Sequence, residues 1–403
     1  MRKLITLCLV CAMLLLPACQ DPPAQSTTPS SGPSEESTHQ PSQPTEPTEP
    51  TESTEQPTEY DRVILQPYDD LSALGLDDGV NNLIVDKHTF TPEDIFTYSF
   101  DDAVFEDAED IQAQVLEAGK NPGLGVRELH AQGITGQGVN VAIIDQHLLL
   151  DHPEYADSVA DYYDSGCGPD AEGYGSMHAP AVMSILAGNT LGVAPDAKVY
   201  FAAAPSWEMD SAYFADCLYW IMEQNKSLPE NEKIRLVSVS AAPQDGWFEN
   251  GDQWTEAVAA AQAEGILVLD CRDIDPNTGF VFAAYYDPEN PEDVTACQPG
   301  FPNNSDRNFA DAMWEDVIFA PTSYRTSARG YLEGDYYYGY DSIGGQSWAV
   351  PYVAGVLALG WQVNPSLDAG TMKDLLYQSC YINSNGNHII NPCAFIELVE
   401  GTL

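Results

Sequence analysis

Basic residues are scarce in this 403-residue chain, which carries 15 Lys and Arg against 62 Asp and Glu for a formal net charge of −47. Beyond residue 59 the ratio is still 54 acids to 13 bases. Such a surface lacks the basic patch that nucleic acid or anionic lipid requires, so neither is expected as a surface partner. Cysteines with metal-cluster spacing are also lacking. Cys167, Cys217, Cys271, Cys297, Cys380 and Cys393 form no CxxC pair, which argues against a zinc cluster and leaves disulfides or free thiols open. After residue 19 no apolar run reaches membrane-spanning length.

What is present begins with MRKLITLCLVCAMLLLPACQ: two basic residues, a short apolar stretch and a small-residue site before Cys19. That is the pattern of an export signal over residues 1–19. Its ending, Leu16-Pro17-Ala18-Cys19, resembles a bacterial lipoprotein lipobox, which implies lipidation of Cys19 and anchoring at the extracytoplasmic face of a bacterial cell membrane. Residues 20–59 hold nine Pro, eight acids and no Lys or Arg. They cannot bury enough apolar surface to offset their ordering entropy, and a disordered tether is expected there. Residues 60–120 form an N-terminal extension of unknown role, and 121–403 the main domain.

Short apolar runs at 138–145, 198–204, 234–240, 265–270 and 316–321 alternate with helical patterns at 178–188, 209–225, 253–264, 347–362 and 367–380. Strands that are apolar without alternation suit a sheet covered on both faces, so the expectation is α/β with a mainly parallel central sheet able to hold all five strands. In such sheets functional groups gather beyond the carboxyl ends of the strands. Asp145 stands there, at the end of "VNVAIID". His178 opens the apolar helix pattern "HAPAVMSILAG". Ser347, in "IGGQSWAVPYVAG", precedes another apolar helix, where a serine is either the helix cap or a nucleophile.

Taken together, "VAIIDQHLLLDHPEY", "MHAPAVMSILAG" with "LGVAP", and "GGQSWAVPYVAG" resemble, in order and spacing, the three catalytic blocks of the subtilisin-like serine proteases, peptidase family S8. The resemblance implies a three-layer fold and an Asp145-His178-Ser347 triad cleaving peptide bonds, with a protein or peptide as substrate and a monomeric enzyme. It also implies a substrate-pairing strand around Ser238, Ser240, Ala241 and Ala242. The oxyanion site would use the Ser347 backbone N–H, but the family's Asn has no counterpart in "LVLDCRDIDPNTG"; Arg272 or Asp273 falls nearest, the first able to donate and the second repulsive, and Asn277 comes a few residues late. Losing one such donor costs roughly 10²–10³ in rate. The His block reads His178-Ala179-Pro180-Ala181 where the family has His-Gly-Thr-His. The segment from His178 to Gly192 is too short for the calcium loop of some relatives, so no metal or cofactor is indicated.

Two other functions compete. One is a catalytically impaired relative that keeps the cleft to bind peptides or a protease. The other, an α/β-hydrolase esterase prompted by Gly345-x-Ser347, needs an acid and a His after the serine, which leaves Asp374 and His388.

Overall fold

The computed structural model describes residues 66–71, 84–86, 95–101, 104–106, 109–168, 175–244, 246–272, 275, 277–303 and 316–403. The export signal, Cys19 and the 20–59 tether lie outside the described residues, as does Asp273. Among the described residues no helix is long and apolar enough to cross a membrane.

A five-stranded, wholly parallel sheet runs in the order Val159–Asp164, Lys198–Ala203, Asn140–Asp145, Leu236–Val239, Leu267–Asp270. The Asn140–Asp145 strand shows why its sequence is apolar without alternation. Val141 and Ile143 join the hydrophobic cluster on one face, and Ala142 and Ile144 join the cluster on the other. Helices Ser211–Ser227 and Gly251–Ala263 cover the second face, through Phe214, Leu218, Ile221 and Trp254. Helices Ala179–Ala187 and Gln346–Val363 cover the first. This is a three-layer α/β arrangement with a parallel central sheet.

One expectation is corrected. The Ile318–Pro321 strand is not in the sheet of Asn140–Asp145; it pairs in parallel with Val281–Tyr285 in a second sheet, which continues through His388–Ile389 and Tyr381–Ile382. The Gln346–Val363 helix packs on strands of both sheets, so two short sheets share one helix instead of one sheet holding every strand.

The parts of the N-terminal extension that are described pack into the same compact unit, Gln56–Leu403. Leu71, Ile95 and Phe100 are fully buried in the core of the first face. Phe100 and Tyr340 exchange backbone hydrogen bonds of 2.9 and 2.8 Å, which adds residue 100 to the antiparallel hairpin Arg325–Arg329/Tyr337–Asp341.

The turn after the Ala179–Ala187 helix is held by one buried carboxylate. Glu154 accepts from Thr190 N at 2.7 Å, Leu191 N at 3.0 Å, Thr190 Oγ1 at 2.9 Å and Tyr338 Oη at 2.8 Å. Removing it strands the buried Leu191 N–H and deprives the part-buried Thr190 and Tyr338 donors of their partner, at about 1–3 kcal/mol for a donor that stays dry. Glu154→Ala is therefore expected to lower unfolding free energy by about 3 kcal/mol or more, read from urea denaturation. A loss under about 1 kcal/mol would show that water replaces the carboxylate.

Candidate active site

Asp145 ends its strand at the carboxyl edge of the sheet, and its side chain is almost wholly enclosed. Its Oδ1 accepts from Gln146 N at 2.8 Å and lies 2.8 Å from His178 Nδ1. A carboxylate so placed fixes His178 as the Nδ1–H tautomer and directs Nε2 outward. His178 is the residue before the first turn of the Ala179–Ala187 helix. Ser176 supplies the capping oxygen, accepting from Ala179 N at 2.9 Å, and Pro180 sits in the first turn, where its missing N–H costs nothing. These local signals start the helix at the point that leaves the imidazole about a quarter exposed, against the enclosed Asp145.

Ser347 is the second residue of the Gln346–Val363 helix, and the N-cap is Gly345 with no side-chain cap bond. Of the two alternatives for Ser347, the cap is not the one seen: the cap is Gly345, two residues earlier and extended. Its neighbour Gly344 lies against the Thr322 carbonyl and the Trp348 ring, where any Cβ would collide. Pro351, inside the helix, has no N–H to give the carbonyl four residues back, which is that of Ser347. Ser240 Oγ donates to that freed carbonyl at 2.9 Å, and Ser347 Oγ donates to Ser240 O at 3.4 Å. A helix-breaking residue thus creates the acceptor that ties the serine to the next strand.

The imidazole of His178 and the indole of Trp348, the residue after Ser347, lie with centroids 5.2 Å apart. Asp145, His178 and the start of the serine helix are in this way brought together, while Ser347 Oγ is turned to Ser240 and not to His178.

Other residues singled out from the sequence are placed as follows. Ser238 lies in mid-sheet between Ile143 and Leu269, its hydroxyl without a protein partner. Ser240 touches Ser347, Ala241 O accepts from Cys271 N at 2.9 Å, and Ala242 is half-buried. Arg272 pairs with Asp275 at 2.7 Å and Asn277 is exposed; no hydrogen bond or ion pair joins either to Ser347. His388 stacks on Tyr377 and Asp374 is exposed, with no hydrogen bond between them, so the esterase constellation is not assembled. No disulfide joins the six described cysteines, and burial pushes Cys297 and Cys380 up to about 12. Among the described residues no three His, Cys, Asp or Glu side chains gather as a metal site.

Sequence reasoning passed over Asp270, a fully buried acid at the end of the Leu267–Asp270 strand. It accepts from Arg272 N at 3.1 Å and from Gln244 Nε2 at 3.2 Å. Its position, last in a parallel strand like Asp145, was the available signal.

A carboxylate hydrogen-bonded to an imidazole beside a helix-borne serine is an arrangement that serine hydrolases use. Comparison with known proteins narrows the class. Residues 136–284, which include Asp145 and His178 and stop short of Ser347, match the Subtilase family. The chain is 27% identical over 301 residues to subtilisin-like protease PopC of Myxococcus xanthus, covering 66% of this chain and 60% of that one. It is 26% identical over 258 residues to subtilisin E of Bacillus subtilis, covering 62% of each. The chain therefore spans about three fifths of the length of these curated relatives. Among solved structures, a chain of subtilase cytotoxin SubAB aligns with a TM-score of 0.50 and 18% identity, over 70% of this chain and 96% of that one, a likeness of fold. The similarities in sequence are to subtilisin-like proteases, and the likeness to the solved structure is one of fold.

Burial raises Asp270 from 3.8 to about 6. The folded chain then holds this proton more tightly than the unfolded one, so the ionised form carries a penalty of about 3 kcal/mol above pH 6 that fades as pH falls towards 3.8. Asp270→Asn is expected to be more stable than wild type at pH 8 by about 1–3 kcal/mol, with the gap about halved at pH 5. A variant less stable than wild type at pH 8 would show that hydrogen bonds to the ionised form outweigh its desolvation.

Proposed function

We propose that this chain is a serine endopeptidase, tethered by lipidated Cys19 to the outer face of a bacterial cell membrane and acting on protein or peptide substrates. The observation that carries the catalytic part is the 2.8 Å Asp145–His178 hydrogen bond beside the serine helix. Ser347 Oγ, rotated from Ser240 to His178 Nε2, attacks the scissile carbonyl as Nε2 takes its proton. Asp145 holds the imidazole in place and stabilises its cation, and the same proton then passes to the leaving amine, giving an acyl-enzyme that water hydrolyses. Ser347 N–H lies in the first turn of its helix, where it has no intrahelical acceptor and the helix dipole favours an oxyanion.

The second reading, a peptide-binding relative without turnover, draws on the orientation of Ser347 Oγ towards Ser240 and on the engagement of Arg272 by Asp275. In active serine enzymes the catalytic hydrogen bonds are often long without substrate and tighten when it binds.

The deciding test is fluorophosphonate labelling of protein lacking residues 1–19. Labelling of wild type that disappears in Ser347→Ala and His178→Ala supports the peptidase, and Asp145→Asn is expected to cut peptide hydrolysis by about 10⁴-fold. Folded wild type that takes no label and cleaves no peptide would leave the binding role.

A further inference from the structure

Arg329 is a nearly enclosed cation at the end of the Arg325–Arg329 strand, behind the serine helix. A charge in that setting is tolerated only when paired. Its Nη2 lies 2.9 Å from both oxygens of Asp341, Nη1 donates to Ser327 Oγ at 2.6 Å, and Nε is 3.4 Å from Asp101 Oδ1. Burial acts to lower its pKa, but Asp341 and Asp101 more than reverse this, so the guanidinium stays charged. The backbone is fixed as well: His152 Nε2 donates to Arg329 O at 3.1 Å, while His152 Nδ1 accepts from Glu154 N.

This cluster reaches the reacting groups through Trp348. Asp341 Oδ2, already on Arg329, also accepts from Trp348 Nε1 at 3.1 Å. The guanidinium itself lies over the indole, 5.9 Å from its centroid. The indole in turn meets the His178 imidazole at 5.2 Å. From Asp101 to His178 there is an unbroken run of contacts through Arg329, Asp341 and Trp348. Asp101 cannot drift, because Phe100 beside it is paired with Tyr340 and Ser99 Oγ lies 3.0 Å from Ser342 Oγ.

We propose that Asp101 is a positioning residue for the His178 base, acting through Arg329, Asp341 and Trp348, and that the N-terminal segment is therefore a permanent part of the working enzyme and not a removable leader. The inference rests on the peptidase reading. Without Asp101, Asp341 is the one carboxylate left to the guanidinium, which then draws on the oxygen that holds Trp348. The indole then loses its fixed tilt, and the imidazole loses the wall that orients it towards Ser347.

The test is a double-mutant cycle on the full chain, with Asp101→Asn, Trp348→Phe and the pair, hydrolysing a quenched-fluorescent casein peptide. Each single change is expected to lower kcat about tenfold with KM within about twofold, and the pair to be no slower than Trp348→Phe, because both act on one contact. Should Asp101→Asn fail to fold by circular dichroism, Arg329→Lys, which cannot span both carboxylates, replaces it with the same expectation. Carbethoxylation of His178 by diethylpyrocarbonate, mapped by mass spectrometry, needs no turnover and should speed up several-fold in each variant. Effects on kcat that multiply, or kcat and carbethoxylation both unchanged in Asp101→Asn, would overturn the proposal. Active wild-type enzyme whose mature N-terminus lies beyond residue 101 would overturn it too. An inactive wild type with altered carbethoxylation in the variants would sink the peptidase reading and leave the positioning contact standing.

Discussion

The Gln346–Val363 helix is apolar on every side, and burying it is the constraint around which the rest of the described chain is arranged. Only Ser347 and the last two residues, Gln362 and Val363, keep partial exposure. A helix of this kind has no solvent face to spare and must be enclosed by protein. Strands of both sheets and the Ala179–Ala187, Ala369–Ser379 and Pro392–Glu400 helices supply the enclosure. Close approach to the loop after the histidine helix is possible because Gly355 lies on Val193, where a side chain would not fit. Ser347 sits at the partly open amino end, held there by the core that encloses the middle of the helix.

Much of this was legible in the sequence for a simple reason. The central strands are buried on both faces, so 138–145, 198–204, 234–240 and 265–270 stand out as apolar runs, and Asp145 stands out as the acid that ends one of them. The Val159–Asp164 strand escaped because it is an edge strand: "VADYYD" is partly exposed along its length and has no apolar run to find. The Arg325–Arg329 strand escaped for the opposite reason. "RTSAR" is polar in composition yet nearly all buried, and Arg329 is sheltered by Ser327 and Asp341 nearby and by Asp101 from far off in the sequence. Ser347 could be seen as one of two alternatives, cap or nucleophile, but the freed carbonyl that ties it to Ser240 becomes visible only when Pro351 is counted back four residues.

The interior is unusually charged for a chain whose excess of acid would be expected at its surface. Glu154 meets only donors, and Arg329 meets two carboxylates and a hydroxyl. Neither stabilises the fold as a buried apolar group would, since desolvation offsets most of the attraction. What they provide is definition: each permits one arrangement of the segments that reach it. Glu154 sets the turn that follows the histidine helix, and Arg329 sets the indole against which the histidine rests. The two are joined through His152, which accepts from one residue's backbone and donates to the other's.

The pairing of Phe100 with Tyr340, and of Ser99 with Ser342 243 positions further along, also bears on the order in which the molecule takes shape. A segment made early in synthesis finds its partners only after most of the chain has followed it. The strands between residues 140 and 270 can assemble from near neighbours, whereas docking of residues 95–101 must close one of the longest loops in the fold. Contacts of such separation form late and slowly. Part of the wall behind His178 thus depends on a loop closure far longer than any strand pairing of the central sheet.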